Sequence, residues 1–170
     1  MSSGAIATIV TLLATVLVWI LGMVARQLIV SCDFVMVARR HAYLDAKDFM
    51  FDLRYEEGDG KNHEFMNLSI LGLKDKTFRR IAALEKSPLS LDSRIQVLEK
   101  NGQTVLAVSG TPGACITVSL HAITGVSIKD YDAFFLAVSE NGVTRVAKFK
   151  DIASTKEEAL RFKKKKINLL

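Results

Sequence analysis

The side chains of this chain that could do chemistry are few and scattered. Its three histidines are His41, His63 and His121, and its two cysteines are Cys32 and Cys115. No histidine has a second His, Cys or carboxylate at the spacing of a zinc motif. His63 sits beside Glu64 in a polar stretch and is expected to be solvated. His121 and Cys115 could form a thiol–imidazole couple, but nothing in their spacing requires it, and a structural role is expected for both. Asp45, Asp48 and Asp52 lie near one another without defining a shared carboxylate site. Ser109-Gly110-Thr111-Pro112-Gly113 lacks the Gly-Lys-Ser/Thr ending that brings a cation to phosphates, and Pro112 removes an N–H such a loop needs. Neither a nucleophile elbow, a His-Glu-x-x-His pair nor a dinucleotide glycine fingerprint occurs. The reading assigns no catalytic, cofactor-binding or metal-ligating residue, and an enzyme is not expected.

Two patterns speak of binding instead. Lys163, Lys164, Lys165 and Lys166 form one run, reinforced by Arg161, Lys148, Lys150 and Lys156. Beside an anionic leaflet each basic residue adds about 1 kcal/mol. Beside nucleic acid the same charges give salt-dependent binding without sequence preference. No aromatics are interleaved for base stacking, so specific nucleic-acid recognition is not expected. The second pattern is Gly4, Thr8, Thr11, Thr15, Val18 and Gly22, spaced by three and four along one helical stripe. Small and hydroxyl residues let a partner helix approach closely in a membrane. The competing role for each Thr is a bond back to its own helix.

That stripe lies in a segment that must be placed first. Met1 to Ala25 contains no charged side chain, and Ala5–Ala25 has the length needed to cross a hydrocarbon core. A cleaved signal would want a basic start and a shorter apolar run, so a retained anchor is expected. Arg26, Arg39 and Arg40 follow the span and no Lys or Arg precedes it. Positive-inside counting therefore puts the amino terminus outside and the following domain in the cytoplasm. Two distant cysteines make no disulfide framework, in keeping with a reducing compartment. Cys32, just past the span, is a position where S-acylation is conceivable, though a small buried hydrophobe is the commoner role.

Residues 1–30 are thus read as a transmembrane anchor and 31–170 as one soluble domain. Alternation at Phe49, Phe51, Leu53 and Tyr55 predicts a strand, and 49–73 a hairpin around the polar cluster 56–62. Lys74–Lys86 reads as an amphipathic helix, and Pro88 marks a break between a mixed first half, 31–88, and the half 89–170. Asn101-Gly102 and Asn141-Gly142, each flanked by apolar runs, predict two hairpins with type I′ turns. Strands at 115–119 and around Ile123, Val126 and Ile128 complete a meander of five or six short strands. Ser154-Thr155-Lys156-Glu157 reads as a capping box opening a C-terminal helix, with Lys163–Lys166 in its last turns. The expected fold class is α+β: one transmembrane helix, an antiparallel β-meander and a C-terminal amphipathic helix.

This element order over Arg94–Leu170 resembles, in outline, pleckstrin-homology-like domains, including bacterial membrane-tethered ones. The resemblance implies a lipid-binding or protein-docking module. A span followed by an α+β domain is also similar to assembly subunits of bacterial secretion machines. The expected function is a non-catalytic accessory, assembly or scaffold subunit of a larger membrane complex. Other transmembrane subunits, or a second copy of this chain, would be its partners, with anionic lipid head groups as further contacts. The alternative is a tethered module that binds anionic lipid or nucleic acid through the basic terminal helix.

Overall fold

A computed structural model describes residues 3–29 (side chains for 4–23), 34–41, 48–84, 88 and 90–169. It divides into two units, Met1–Ser31 and Cys32–Leu170. The first holds helix α1, Ser3–Ile29. Its stretch Gly4–Met23 has a mean hydropathy of 2.4 and is long and apolar enough to cross a membrane. Every side chain from Gly4 to Met23 is exposed. An exposed run of Leu, Ile, Val and Trp is unstable in water, whereas lipid solvates it.

The described residues of the second unit form ten antiparallel strands: β1 (Phe34–Arg40), β2 (Asp48–Glu57), β3 (His63–Lys74), β4 (Thr77–Leu84), β5 (Ile95–Lys100), β6 (Gln103–Val108), β7 (Cys115–Ala122), β8 (Ala133–Glu140), β9 (Val143–Lys148) and β10 (Glu157–Lys164). Eight of them close a barrel in the order β1-β2-β7-β4-β3-β8-β9-β10, with β10 pairing back onto β1. The long β3 pairs with β6 over His63–Phe65 and with β4 over Ser69–Lys74, so the β5–β6 hairpin branches from the ring at β3. Closure gives each ring strand a ladder partner on both sides, the usual remedy for exposed edges, although the β9–β10 ladder is short, only Lys163↔Val146 and Lys164↔Arg145.

Alternation decides which residues line the interior. Phe49, Phe51, Leu53 and Tyr55 of β2 point in, as do Ile116, Val118 and Leu120 of β7 and Leu160 and Phe162 of β10. Phe34 stacks on Phe162 at 4.6 Å and packs on Phe65 at 4.8 Å, fixing one end of the core. These side chains fill the barrel: the void among Met36, Leu53, Phe65, Leu106 and Val138 measures about 10 Å³. That is at most the space of one water. A smaller cluster outside the ring joins Leu71, Phe78, Phe135, Ala137 and Val146, covered by Ile167 of the chain after β10. The Phe78 N–H donates to the Asn168 carbonyl there at 3.2 Å.

Several sequence-based expectations are overturned. The fold is an antiparallel barrel with one N-terminal helix, not an α+β meander, and the pleckstrin-homology outline fails because no helix follows the strands among the described residues. Residues 157–164 form β10: Glu158, Leu160 and Phe162 fall on one side of an extended chain, where barrel closure buries the last two. Ser154 makes a turn instead of a helix cap, its Oγ accepting from the Lys156 N–H at 3.2 Å. Lys74–Leu84 is the end of β3, a tight turn and β4, with Asp75 and Lys76 at φ of 48° and 62°. Both strands expected in 49–73 exist as β2 and β3, yet they do not pair; β1 and β7 flank β2, and β8, β4 and β6 flank β3. Ile123–Asp130 is a pair of turns with a single 3-10 turn at Ile128–Asp130, not a strand. The two Asn-Gly hairpins are present, β5–β6 and β8–β9, with φ near +50° at each Asn and above +70° at each Gly. Cys32 and Asp45, and the segment 85–87 beside the expected break, lie outside the described residues.

Candidate functional site

The lysine run is reshaped by β10. In an extended strand successive side chains alternate, so Arg161 and Lys163 face outward with Ala159, while Leu160 and Phe162 face the core. Lys163 and Lys165 join Arg161, Lys148, Lys150 and Lys156 around an open groove of about 980 Å³. Phe135, Val146 and Phe149 form its apolar floor, and Asp151, Glu157 and Glu158 are its carboxylates. The Lys165 ammonium lies 5.3 Å from the Phe78 ring centre and 5.5 Å from that of Phe135, a cation–π contact with both. Lys164 stands opposite Arg145 in the β9–β10 ladder, and both Lys164 and Lys166 are exposed. Strand geometry thus divides the four lysines between two sides while gathering distant cations, six against three carboxylates. Such a wall attracts anions without enclosing one.

The helix stripe is placed as the spacing demands, with Gly4, Thr8, Thr11, Thr15, Val18 and Gly22 all exposed. The hydroxyls are already used: Thr8 donates to the Gly4 carbonyl, Thr11 to Ala7 and Thr15 to Thr11, at 2.8 to 2.9 Å. What the stripe offers a neighbour is therefore small size before hydrogen bonding.

His63 departs most from its sequence reading. It opens β3, is buried, and its ring stacks parallel on Phe65 at 5.5 Å. Its Nδ1 lies 2.8 Å from Glu140 Oε1 at the end of β8, and its Nε2 lies 2.8 Å from Asp59 Oδ1 in the β2–β3 loop. Glu140 is as buried as His63, and Arg145 Nε stands 3.8 Å from its second oxygen. Asp59 is about half exposed and also accepts the Lys61 N–H at 3.0 Å. That backbone bond first, then His63, holds the Asp59 carboxyl below its usual range. The Tyr55 hydroxyl is buried nearby without a hydrogen-bond partner, and burial, then the Asp59 and Glu140 charges, push its pKa up. The local hint was slight: His63 and Phe65 are two apart on one strand face, as are Val138 and Glu140, but nothing in the sequence brings those two strands together.

This cluster does not form a metal site, because the imidazole separates the two carboxylates instead of converging with them. Among the described residues no group of three His, Cys, Asp or Glu could hold a metal ion. Nor does it present a nucleophile to a cavity, since the interior beside it is filled. Two further histidine–carboxylate pairs lie on the outer wall, where β2 meets its neighbours. Asp48 meets His121 at 2.6 Å, and Asp52 meets His41 at 2.8 Å and the Thr117 hydroxyl at 2.7 Å. Partial burial raises the Asp52 pKa, but the His41 and Thr117 hydrogen bonds outweigh it and leave the carboxyl below its usual value. Cys115 and His121 stand at opposite ends of β7, about 20 Å apart at strand rise, so they form no couple. Burial first, then the Asp52 charge, pushes the Cys115 thiol up, away from the thiolate form that a nucleophile needs. The sequence matches no family model, no curated protein and no solved structure.

Proposed function

We propose that this chain is a single-span membrane protein that serves a larger membrane complex as a non-catalytic accessory, assembly or scaffold subunit. The observation that carries the reading is the filled barrel. With a void of about 10 Å³, its interior holds no substrate or lipid, so its working surface is the outer wall. The exposed helix Gly4–Met23 supplies the anchor, and its small-residue stripe supplies a face for other transmembrane subunits or a second copy. Arg26, Arg39 and Arg40 favour the barrel on the cytoplasmic side. Replacing Thr11 and Thr15 with Leu fills the stripe, and should release partners from the full chain extracted in mild detergent, read by native mass measurement. A stable wild-type monomer with no copurifying protein sinks the reading.

A second reading rests on the basic wall: a tethered module that contacts an anionic bilayer surface. Six cations border one groove, five from β9, β10 and their connection and the sixth, Lys165, just after β10. At about 1 kcal/mol per basic residue close to such a surface, they suffice for a stable contact. The full chain in nanodiscs with and without phosphatidylserine tests it through amide exchange over 148–165. Protection that ignores the anionic lipid rejects this reading and leaves the first.

A further inference from the structure

We propose that His63 is a proton-operated catch for the β2–β3 loop, residues 58–62, closed when the imidazole carries both protons and released when it loses one. The stereochemistry is restrictive. An ionised carboxylate only accepts hydrogen bonds, so between two such carboxylates both 2.8 Å contacts of His63 are hydrogen bonds only if Nδ1 and Nε2 both donate. A neutral imidazole has one N–H, and its other nitrogen then faces a carboxylate oxygen lone pair to lone pair.

Which contact is lost follows from burial. Glu140 on β8 is nine-tenths buried and has no water to turn to, so the Nδ1 contact is the one kept, with Arg145 of β9 on its other side. Asp59 is half exposed and can turn to water, so the Nε2 contact is the one that opens. Among the described residues Tyr55 of β2 also faces the ring, its ring centre 6.0 Å away, and β1 and β3 contribute Phe34 and Phe65. Lys61 acts on Asp59 through its charge and its backbone N–H.

Asp59 is placed to carry a whole loop with it. Gly58 lies directly over the Tyr55 hydroxyl, so closely that a Cβ would overlap the oxygen. Gly110 packs against the Gly60 backbone and donates its N–H to Asn62 Oδ1 at 3.2 Å. Release of Asp59 therefore frees the Lys61 and Gly110 amides and uncovers the Tyr55 hydroxyl.

Amide exchange of the full-length protein in detergent, corrected for intrinsic rate, tests this between about pH 5 and about pH 8, the range in which histidine changes charge. Protection at Lys61 and Gly110 should fall by about tenfold across that range, the loss of one charge-assisted hydrogen bond. Asp59→Asn supplies an amide donor to the neutral Nε2, so the loop should stay protected at both pH values. Asp59→Ala removes the catch, so protection should be low at both. Wild-type protection that does not change with pH, or an unchanged pH dependence in either variant, overturns the proposal.

Discussion

Asp92 accepts from the Arg94 guanidinium at 2.8 and 2.9 Å, from the Arg94 N–H at 3.0 Å and from the Cys115 N–H at 2.9 Å. Arg94 in turn donates to the Pro112 and Gly113 carbonyls, so two side chains tie the approach to β5 to the loop that leads into β7. The Arg94 side chain first, then the two backbone donors, hold the Asp92 carboxyl well below the ordinary Asp value of about 3.9. A depressed carboxylate contributes stability above its unfolded pKa and loses it as pH falls toward the folded one. Asp92→Asn should therefore lower the thermal midpoint at neutral pH. The gap from wild type should close as pH falls below about 4, as thermal melts across pH will check. In the core, Phe162→Ala removes the ring stacked between the walls and should cost about 3–5 kcal/mol in denaturant unfolding. Position by position, the inward aromatics of β2 were legible from alternation alone. His63 was not, because its partners come from a loop and a strand end 77 residues away in sequence, and no local pattern announces a buried imidazole between them.

The elements divide by what signals them. Asn101-Gly102 and Asn141-Gly142 need positive φ at both turn positions and have it, so local turn chemistry was enough to place β5–β6 and β8–β9. Gly142→Ala should cost about 1 kcal/mol or more, since φ of 75° strains an alanine, and should leave the β8–β9 register unchanged. A shifted register in amide-exchange or cross-strand data would contradict this. By contrast, β4 and β10 are rich in Lys, Arg, Glu, Ala and Leu, residues that favour helices in isolation. Their strand state comes from neighbours: β10 fills the gap between β1 and β9, and β4 that between β3 and β7. Pairing with strands distant in sequence outweighs a per-residue propensity of a few tenths of a kcal/mol, and one sequence window does not contain that information. That β2 and β3 do not pair with each other illustrates the same limit. Each is legible as a strand, but the long ring path between them is a property of closure.

At the scale of the whole molecule, closure rests on β10. Six register pairs, from Phe34↔Phe162 to Arg39↔Glu157, join it to β1, and two, Lys163↔Val146 and Lys164↔Arg145, join it to β9. Removing 157–170 would leave β1 and β9 with unpaired ladder groups and expose the cavity left by Leu160 and Phe162. Unpaired edges of apolar strands are templates for association, and β9 lies next to the exposed basic groove, where charge alone does not cap the missing bonds. Removing only 165–170 leaves β10 in place and takes away the Ile167 cover and the Asn168–Phe78 bond outside the ring. The two truncations therefore separate closure from cover. The longer one should aggregate on expression or on removal from strong detergent. The shorter one should remain monodisperse, with a lower unfolding midpoint. Size-exclusion profiles and β-type circular dichroism of both proteins provide the measurement. A monodisperse, folded product from the longer truncation would mean that the barrel tolerates an open seam. The outer wall would then not be held rigid by closure, and a scaffold role would lose its structural basis.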